Sequence, residues 1–290
     1  MSTESRPAGR LDSHQHFWRY DPREHAWITP AMSVLRRDFG PLDLQEELAG
    51  SGFSSCIAVQ AAQSDRETTD LLRVADEHPF VQGVVGWIDL RRADVEEALK
   101  RYDDRSKLVG FRHIVQDEID DSFLLRTDFC RGIEALGQTR YSYDILVYPR
   151  QLHAACKFVE RFPEHRFVLD HIAKPPIAAP TPLVFDAWEE DIRQLAATSP
   201  HLTCKVSGLV TEARWHTWKP EDFARALGVV EDAFGRHRLL YGSDWPVCLL
   251  AARDYAQVVE LVDAWTRDWS EHERDGFFGT NARTFYRIAP

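Results

Sequence analysis

A chain of 290 residues can bury a substantial core, and 35 basic against 46 acidic side chains leave a formal net charge of −11. That field disfavours nucleic acid and anionic membrane surfaces as partners. With 44% hydrophobic and 28% charged residues, and no apolar run long enough to span a bilayer, the composition is that of a soluble globular protein.

Met1 to Arg10 is polar and carries no signal-peptide core. Leu11-Asp12-Ser13-His14-Gln15-His16-Phe17-Trp18 reads as an extended segment, so His14 and His16 project to the same side. Arg19 to Pro41, with Pro22, Trp27 and Pro30, has no helical period and reads as a loop. Leu42 to Gly50 follows as a helix, stopped by Gly50 and Gly52. An alternation then sets in. Strands are predicted at Phe53–Val59, Phe80–Ile88, Leu108–Ile114, Tyr143–Tyr148, Arg166–His171, His201–Ser207 and Leu239–Ser243. The helices between and after them are predicted at Arg66–Glu77, Ala93–Tyr102, Thr127–Leu136, Pro149–Phe162, Phe185–Thr198, Pro220–Phe234 and a final Tyr255–Arg267.

Eight short apolar strands, each followed by a helix, predict one closed (β/α)8 barrel over residues 1–290 as a single domain. No G-x-G-x-x-G follows the first strand, which disfavours a dinucleotide-binding sheet. Cys56, Cys130, Cys156, Cys204 and Cys248 are dispersed, with no C-x-x-C pair, and read as reduced thiols of a cytoplasmic protein.

A barrel gathers its functional groups at the C-terminal strand ends. Those ends supply His14 and His16, Arg112 and His113, Tyr148, His171 and Lys174, Lys205, and finally Asp244. Burying so many ionisable groups together is costly unless they pair or bind something. In a closed barrel the first and last strands are neighbours, which brings His14 and His16 to Asp244. Two imidazoles and a carboxylate suit one divalent ion, zinc for preference, and leave a coordination position open. Trp18, Trp27, Trp87 and Trp245 are candidates for an apolar wall facing the substrate.

The ordered pieces carry a resemblance over nearly the whole chain. These are Leu11–Trp18, Gly110-Phe111-Arg112-His113, Asp170-His171-Ile172-Ala173-Lys174-Pro175, Lys205-Val206-Ser207-Gly208, Tyr241-Gly242-Ser243-Asp244-Trp245-Pro246 and Gly279-Thr280-Asn281-Ala282. Together they resemble the amidohydrolase superfamily, and most closely its sugar-lactone hydrolase branch, whose members open L-fucono- and L-rhamnono-lactones. The resemblance implies a small-molecule lactone substrate and Asp244 as the proton-transfer residue, with His171 beside it. Arg112, His113, Tyr148, Lys174, Lys205 and Trp27 would then contact the substrate. Binuclear members carry a lysine on strand four and a histidine on strand five. Here strand four ends in Arg112-His113 and strand five has no histidine, so one ion at most is implied, at His14, His16 and Asp244, with His171 as a further candidate. A metal-independent mechanism stays open, as some relatives with this reduced set resemble metal-independent lactonases. Two rival readings are a metal-dependent decarboxylase of the superfamily, which would share the same ligands, and a sugar-acid binding protein without catalysis, against which Asp244 beside His14 and His16 argues, since binding alone needs no proton shuttle.

Overall fold

The eight strands are β1 (Arg10–Gln15), β2 (Phe53–Val59), β3 (Val81–Gly86), β4 (Leu108–His113), β5 (Ser142–Ile145), β6 (Phe167–Leu169), β7 (Thr203–Val206) and β8 (Leu239–Tyr241). In this computed structural model, which describes residues 9–289, they pair in chain order and every pair is parallel. Residues 1–8 of the polar N-terminal segment lie outside the described residues. The helices between strands are α1 (Pro41–Gly50), α2 (Asp65–Glu77), α3 (Val95–Lys100), α4 (Thr127–Gly137), α5 (Leu152–Arg161), α6 (Pro182–Thr198) and α7 (Ala224–Phe234), with α8 (Tyr255–Trp265) after β8. The architecture is the expected (β/α)8 barrel.

Alternation of side chains along each strand separates two cores. Leu11, Ile57, Val59, Val85, Val109, Val168 and Leu240 fill the barrel. The alternate residues, among them Cys56, Ala58, Phe111, Tyr143, Leu169 and Tyr241, pack outward with the helices. Burial of each valine, leucine, isoleucine or phenylalanine among them contributes about 1.5–3 kcal/mol. All five cysteines are free and buried. No helix among the described residues is long and apolar enough to cross a membrane.

Closure between β1 and β8 is made by the residues just beyond the short last strand. His16 N–H donates to the Trp245 carbonyl at 2.7 Å and Asp244 N–H to the His14 carbonyl at 2.8 Å. Below them the buried Asp12 carboxylate accepts from the Ser243 hydroxyl at 2.6 Å, the Ser243 N–H at 3.0 Å and the Tyr255 hydroxyl at 3.1 Å. One side chain thus ties the first strand, the last strand and α8 together. Gly242 is required at this seam, because a Cβ there would lie 2.5 Å from that of His14.

The structure differs from the sequence reading mainly at ends. The segments starting at Pro149 and Pro220 open as 3₁₀ turns before α5 and α7, and a 3₁₀ turn (Pro30–Leu35) sits in the first loop. Tyr255–Trp265 is not the last helix: α9 (Glu271–Asp275) and α10 (Asn281–Tyr286) follow. Both are too short to show a period. The second plugs the barrel with Ala282, Phe285 and Tyr286.

Candidate active site

Strand six ends at Leu169, and the backbone then leaves the sheet in an unusual way. His171, Ile172, Ala173 and Lys174 all have φ between 45° and 54°, and Asp244 has φ 57°. Non-glycine residues in left-handed backbone are costly, and such residues concentrate at functional sites. His171 was expected at a strand end; it stands in this left-handed turn instead. Gly208 makes room for it: its φ is +61°, and a Cβ there would meet His171 Nδ1 at 2.6 Å.

Three imidazoles surround one carboxylate oxygen. Asp244 Oδ1 lies 3.2 Å from His16 Nε2, 3.8 Å from His14 Nε2 and 3.9 Å from His171 Nε2. Burial works against the charge on Asp244, but His171, His16 and His14 outweigh it and hold the carboxyl below its ordinary range. Burial also lowers the His14 pKa well below the usual histidine range and the His171 pKa to about 4, so both rings are neutral at pH 7. His16 Nδ1 donates to the Val59 carbonyl at 2.7 Å. With Nδ1 donating there, His16 Nε2 faces the Asp244 carboxylate oxygen at 3.2 Å, a contact that needs a proton or a cation between the two. Among the described residues, His14, His16 and Asp244 form one group able to hold an ion, and His14, Asp170 and His171 another. The second is spent, because Arg112 and Lys205 already engage Asp170 at 3.0 Å each. Imidazole nitrogens and one carboxylate fit zinc.

Each ring nitrogen of His14 faces one cationic donor and one carboxylate. Nδ1 lies 3.2 Å from Lys205 Nζ and 3.3 Å from Asp170 Oδ1; Nε2 lies 3.2 Å from Arg112 Nη1 and 3.8 Å from Asp244 Oδ1. With its N–H toward Asp170, His14 presents an Nε2 lone pair to an ion, the carboxylate–imidazole–metal pattern.

Above this cluster opens a cavity of about 360 Å³. Arg112, Lys174, Tyr148 and Trp27 line it, as expected, together with His16, His171 and Asp244. Two expected substrate contacts behave otherwise. His113 points away from the cavity, because adjacent strand residues face opposite sides and Arg112 takes the inner one. Its Nδ1 accepts from Trp87 Nε1 at 3.3 Å, its Nε2 donates to Glu118 at 2.7 Å, and its ring stacks on Phe123. Lys205 is fully buried beneath the site, 2.5 Å from Asp144 Oδ2, and does not line this cavity. Of the four candidate wall tryptophans only Trp27 lines the cavity: Trp18 packs on Phe39, Trp87 holds His113, and Trp245 is core.

Asp170 and Glu212 carry roles that the sequence reading did not assign. Burial works to raise the Asp170 pKa, but Lys205, His14 and Arg112 outweigh it and hold the group well below the carboxylate range. Its signal was its place at the end of strand six, directly before His171. Glu212 lies in the loop after β7, with no motif to mark it, and accepts from Lys174 Nζ at 3.1 Å on the cavity wall.

The chain belongs to the amidohydrolase family, which it matches over residues 11–288. An L-fucono-1,5-lactonase of Burkholderia multivorans is 41% identical over 292 residues, covering 96% of each chain. An L-fucono-1,5-lactonase of Burkholderia ambifaria is 38% identical over the same share. A crystal structure of a Burkholderia multivorans amidohydrolase with bound zinc superimposes with a TM-score of 0.92 at 41% identity, covering 97% of this chain and 100% of that one.

Proposed function

We propose that this chain, acting as one domain, hydrolyses a sugar lactone of the L-fucono type to its aldonic acid. The observation that carries the reading is the Asp244 carboxylate ringed by His14, His16 and His171 at the floor of a cavity walled by Arg112 and Lys174. The L-fucono-1,5-lactonase relatives at 41% and 38% identity support the substrate class.

Hydrolysis adds a water oxygen to the lactone carbonyl carbon and breaks the bond from that carbon to the ring oxygen. Asp244, ionised and buried, accepts the proton of the attacking water and returns one to the departing ring alkoxide. His171, held by Ser207 Oγ at 2.9 Å from its Nδ1, orients that water through Nε2. The charge that grows on the carbonyl oxygen, and then on the product carboxylate, is met by Arg112 and Lys174. A divalent ion held by His14, His16 and Asp244 supplies Lewis-acid polarisation and acidifies water. Native protein is expected to contain close to one equivalent of zinc by elemental analysis. His16→Ala should lose it, and chelation should lower turnover; full turnover by metal-free protein would assign His14 and His16 to hydrogen bonding instead.

The cavity lining is of two chemical kinds. Lys174 and Glu212 offer charge to hydroxyl groups, whereas Met32, Trp215, Val247 and Leu250 are apolar. An L-fuconolactone has this same division, since it is a polyol with a methyl group at one end. A pH-indicator assay over a panel of aldonolactones tests the proposal. L-Fuconolactone is expected to exceed L-galactonolactone, which carries CH₂OH in place of the methyl, by about 10–100-fold in kcat/KM. No turnover of any lactone by native protein would sink the proposal.

A further inference from the structure

The end of the barrel opposite the site holds a cavity of about 430 Å³, between the starts of β3, β4 and β5 and the C-terminal segment. Lys107, Arg140 and Arg287 stand around it, and among the described residues no carboxylate-bearing side chain lines it. This is unexpected in a chain of net charge −11, where most arginines at other places pair with acids. Here they do not: among the described residues no carboxylate lies within ion-pair distance of Lys107, Arg140, Arg166 or Arg287. Neutral backbone carbonyls hold the side chains instead. Lys107 Nζ donates to the Val81 carbonyl at 2.7 Å, and Arg140 donates to those of Asp103 at 3.2 Å and Arg105 at 2.7 Å. Directly behind, Arg166 donates to the carbonyls of Phe285 and Arg140. These bonds fix the cationic heads without neutralising them, and Lys107 and Arg140 keep further N–H groups unspent. Arg287 lines the cavity in a left-handed conformation, φ 56°, and its guanidinium makes no hydrogen bond among the described residues. Arg166 feels the crowding: burial, and then the charge of Arg287, pull its pKa down to about 10.

We propose that this cavity is a binding site for a small multivalent oxyanion, gripped by Lys107, Arg140 and Arg287. Guanidinium forks and an ammonium group match phosphate and carboxylate oxygens alike, so the shared chemistry is a compact oxyanion. A phosphate ester or a tricarboxylate would each satisfy it. The competing reading makes these side chains structural staples of the barrel floor, where residues commonly serve stability. It accounts for Lys107 and Arg140 but leaves Arg287 without a purpose.

The test is calorimetric titration of the intact protein at low ionic strength with inorganic phosphate, and separately with citrate, against potassium chloride. Saturable one-site binding of either oxyanion is expected, and the tighter of the two names the source. Arg287→Gln, which breaks no bond in the fold, should weaken that binding at least about tenfold, since a hydrogen bond to a charged group is worth roughly 1.5–3 kcal/mol. Lactone turnover by that variant should stay at the native rate. Lys174→Ala separates this site from the catalytic cavity and should leave the titration unchanged. Binding abolished by Lys174→Ala but untouched by Arg287→Gln would put the anion at the catalytic mouth and overturn the proposal, as would no saturable binding at all.

Discussion

Replacing Asp244 with asparagine is expected to lower kcat by about 10²–10⁴-fold, the usual worth of a general acid–base group, with the fold intact. The backbone favours this comparison. Asp244 sits at φ 57°, a left-handed conformation in which aspartate and asparagine are both enriched among non-glycine residues. Its main-chain bonds, N–H to the His14 carbonyl and carbonyl from the Cys248 N–H at 2.9 Å, do not involve the side chain. Asparagine keeps one oxygen near His16 but cannot accept a proton at neutral pH. Zinc content should fall too, because a neutral amide is a poorer ligand than a carboxylate. Lys174→Ala should do less harm. It removes a charge from the wall and strands Glu212 but leaves the proton-transfer group in place, so its defect should appear in kcat/KM and be smaller than that of Asp244→Asn. Near-native kcat in a folded, zinc-loaded Asp244→Asn protein would remove Asp244 from proton transfer.

The fold was legible because barrel strands are apolar and short, and turn residues separate them. Phe53–Val59 is the clearest case: its bounds in sequence and in structure coincide. The H-x-H pair was legible for a related reason. A period of two sends His14 and His16 the same way, and both reach Asp244. The same rule was enough to separate Arg112 from His113, since neighbours on a strand cannot both face inward. Depth within the barrel was not legible. Lys205 and Ser207 share a face of one strand, yet Ser207 reaches His171 and Lys205 lies a layer below, against Asp144. Nothing in the composition of Asp170–Lys174 announces a left-handed turn, because no glycine marks it. Glu212 was hidden for a simpler reason: loops of irregular backbone have no period from which to place a side chain.

Lys205→Met should be the most destabilising single change in the barrel interior. The ammonium is fully buried, donates to Asp144 Oδ2 at 2.5 Å, pairs with Asp170 Oδ1 at 3.0 Å, and lies 3.2 Å from His14 Nδ1. Breaking a buried ion pair by removing one partner typically costs about 3–5 kcal/mol, because the other charge is left uncompensated. At roughly 2–4 °C per kcal/mol for a chain of this order, the melting temperature should fall by about 10 °C. Asp170 retains Arg112, but Asp144 retains only the Tyr286 hydroxyl at 2.8 Å. Burial already raises the Asp144 pKa to about 6 with Lys205 in place, and the loss of the cation raises it further. A carboxyl whose folded pKa exceeds its unfolded value contributes stability that is present at low pH and lost as the pH rises through the folded pKa. The deficit of Lys205→Met relative to the native protein should therefore be larger at pH 8 than at pH 5. Adding Asp144→Asn removes the stranded charge while keeping an acceptor for Tyr286, so the double variant should regain part of the loss at pH 8. Thermal unfolding of the three proteins at both pH values measures this coupling. Equal melting temperatures for Lys205→Met and the native protein would mean that the buried ammonium contributes no net stability to the barrel.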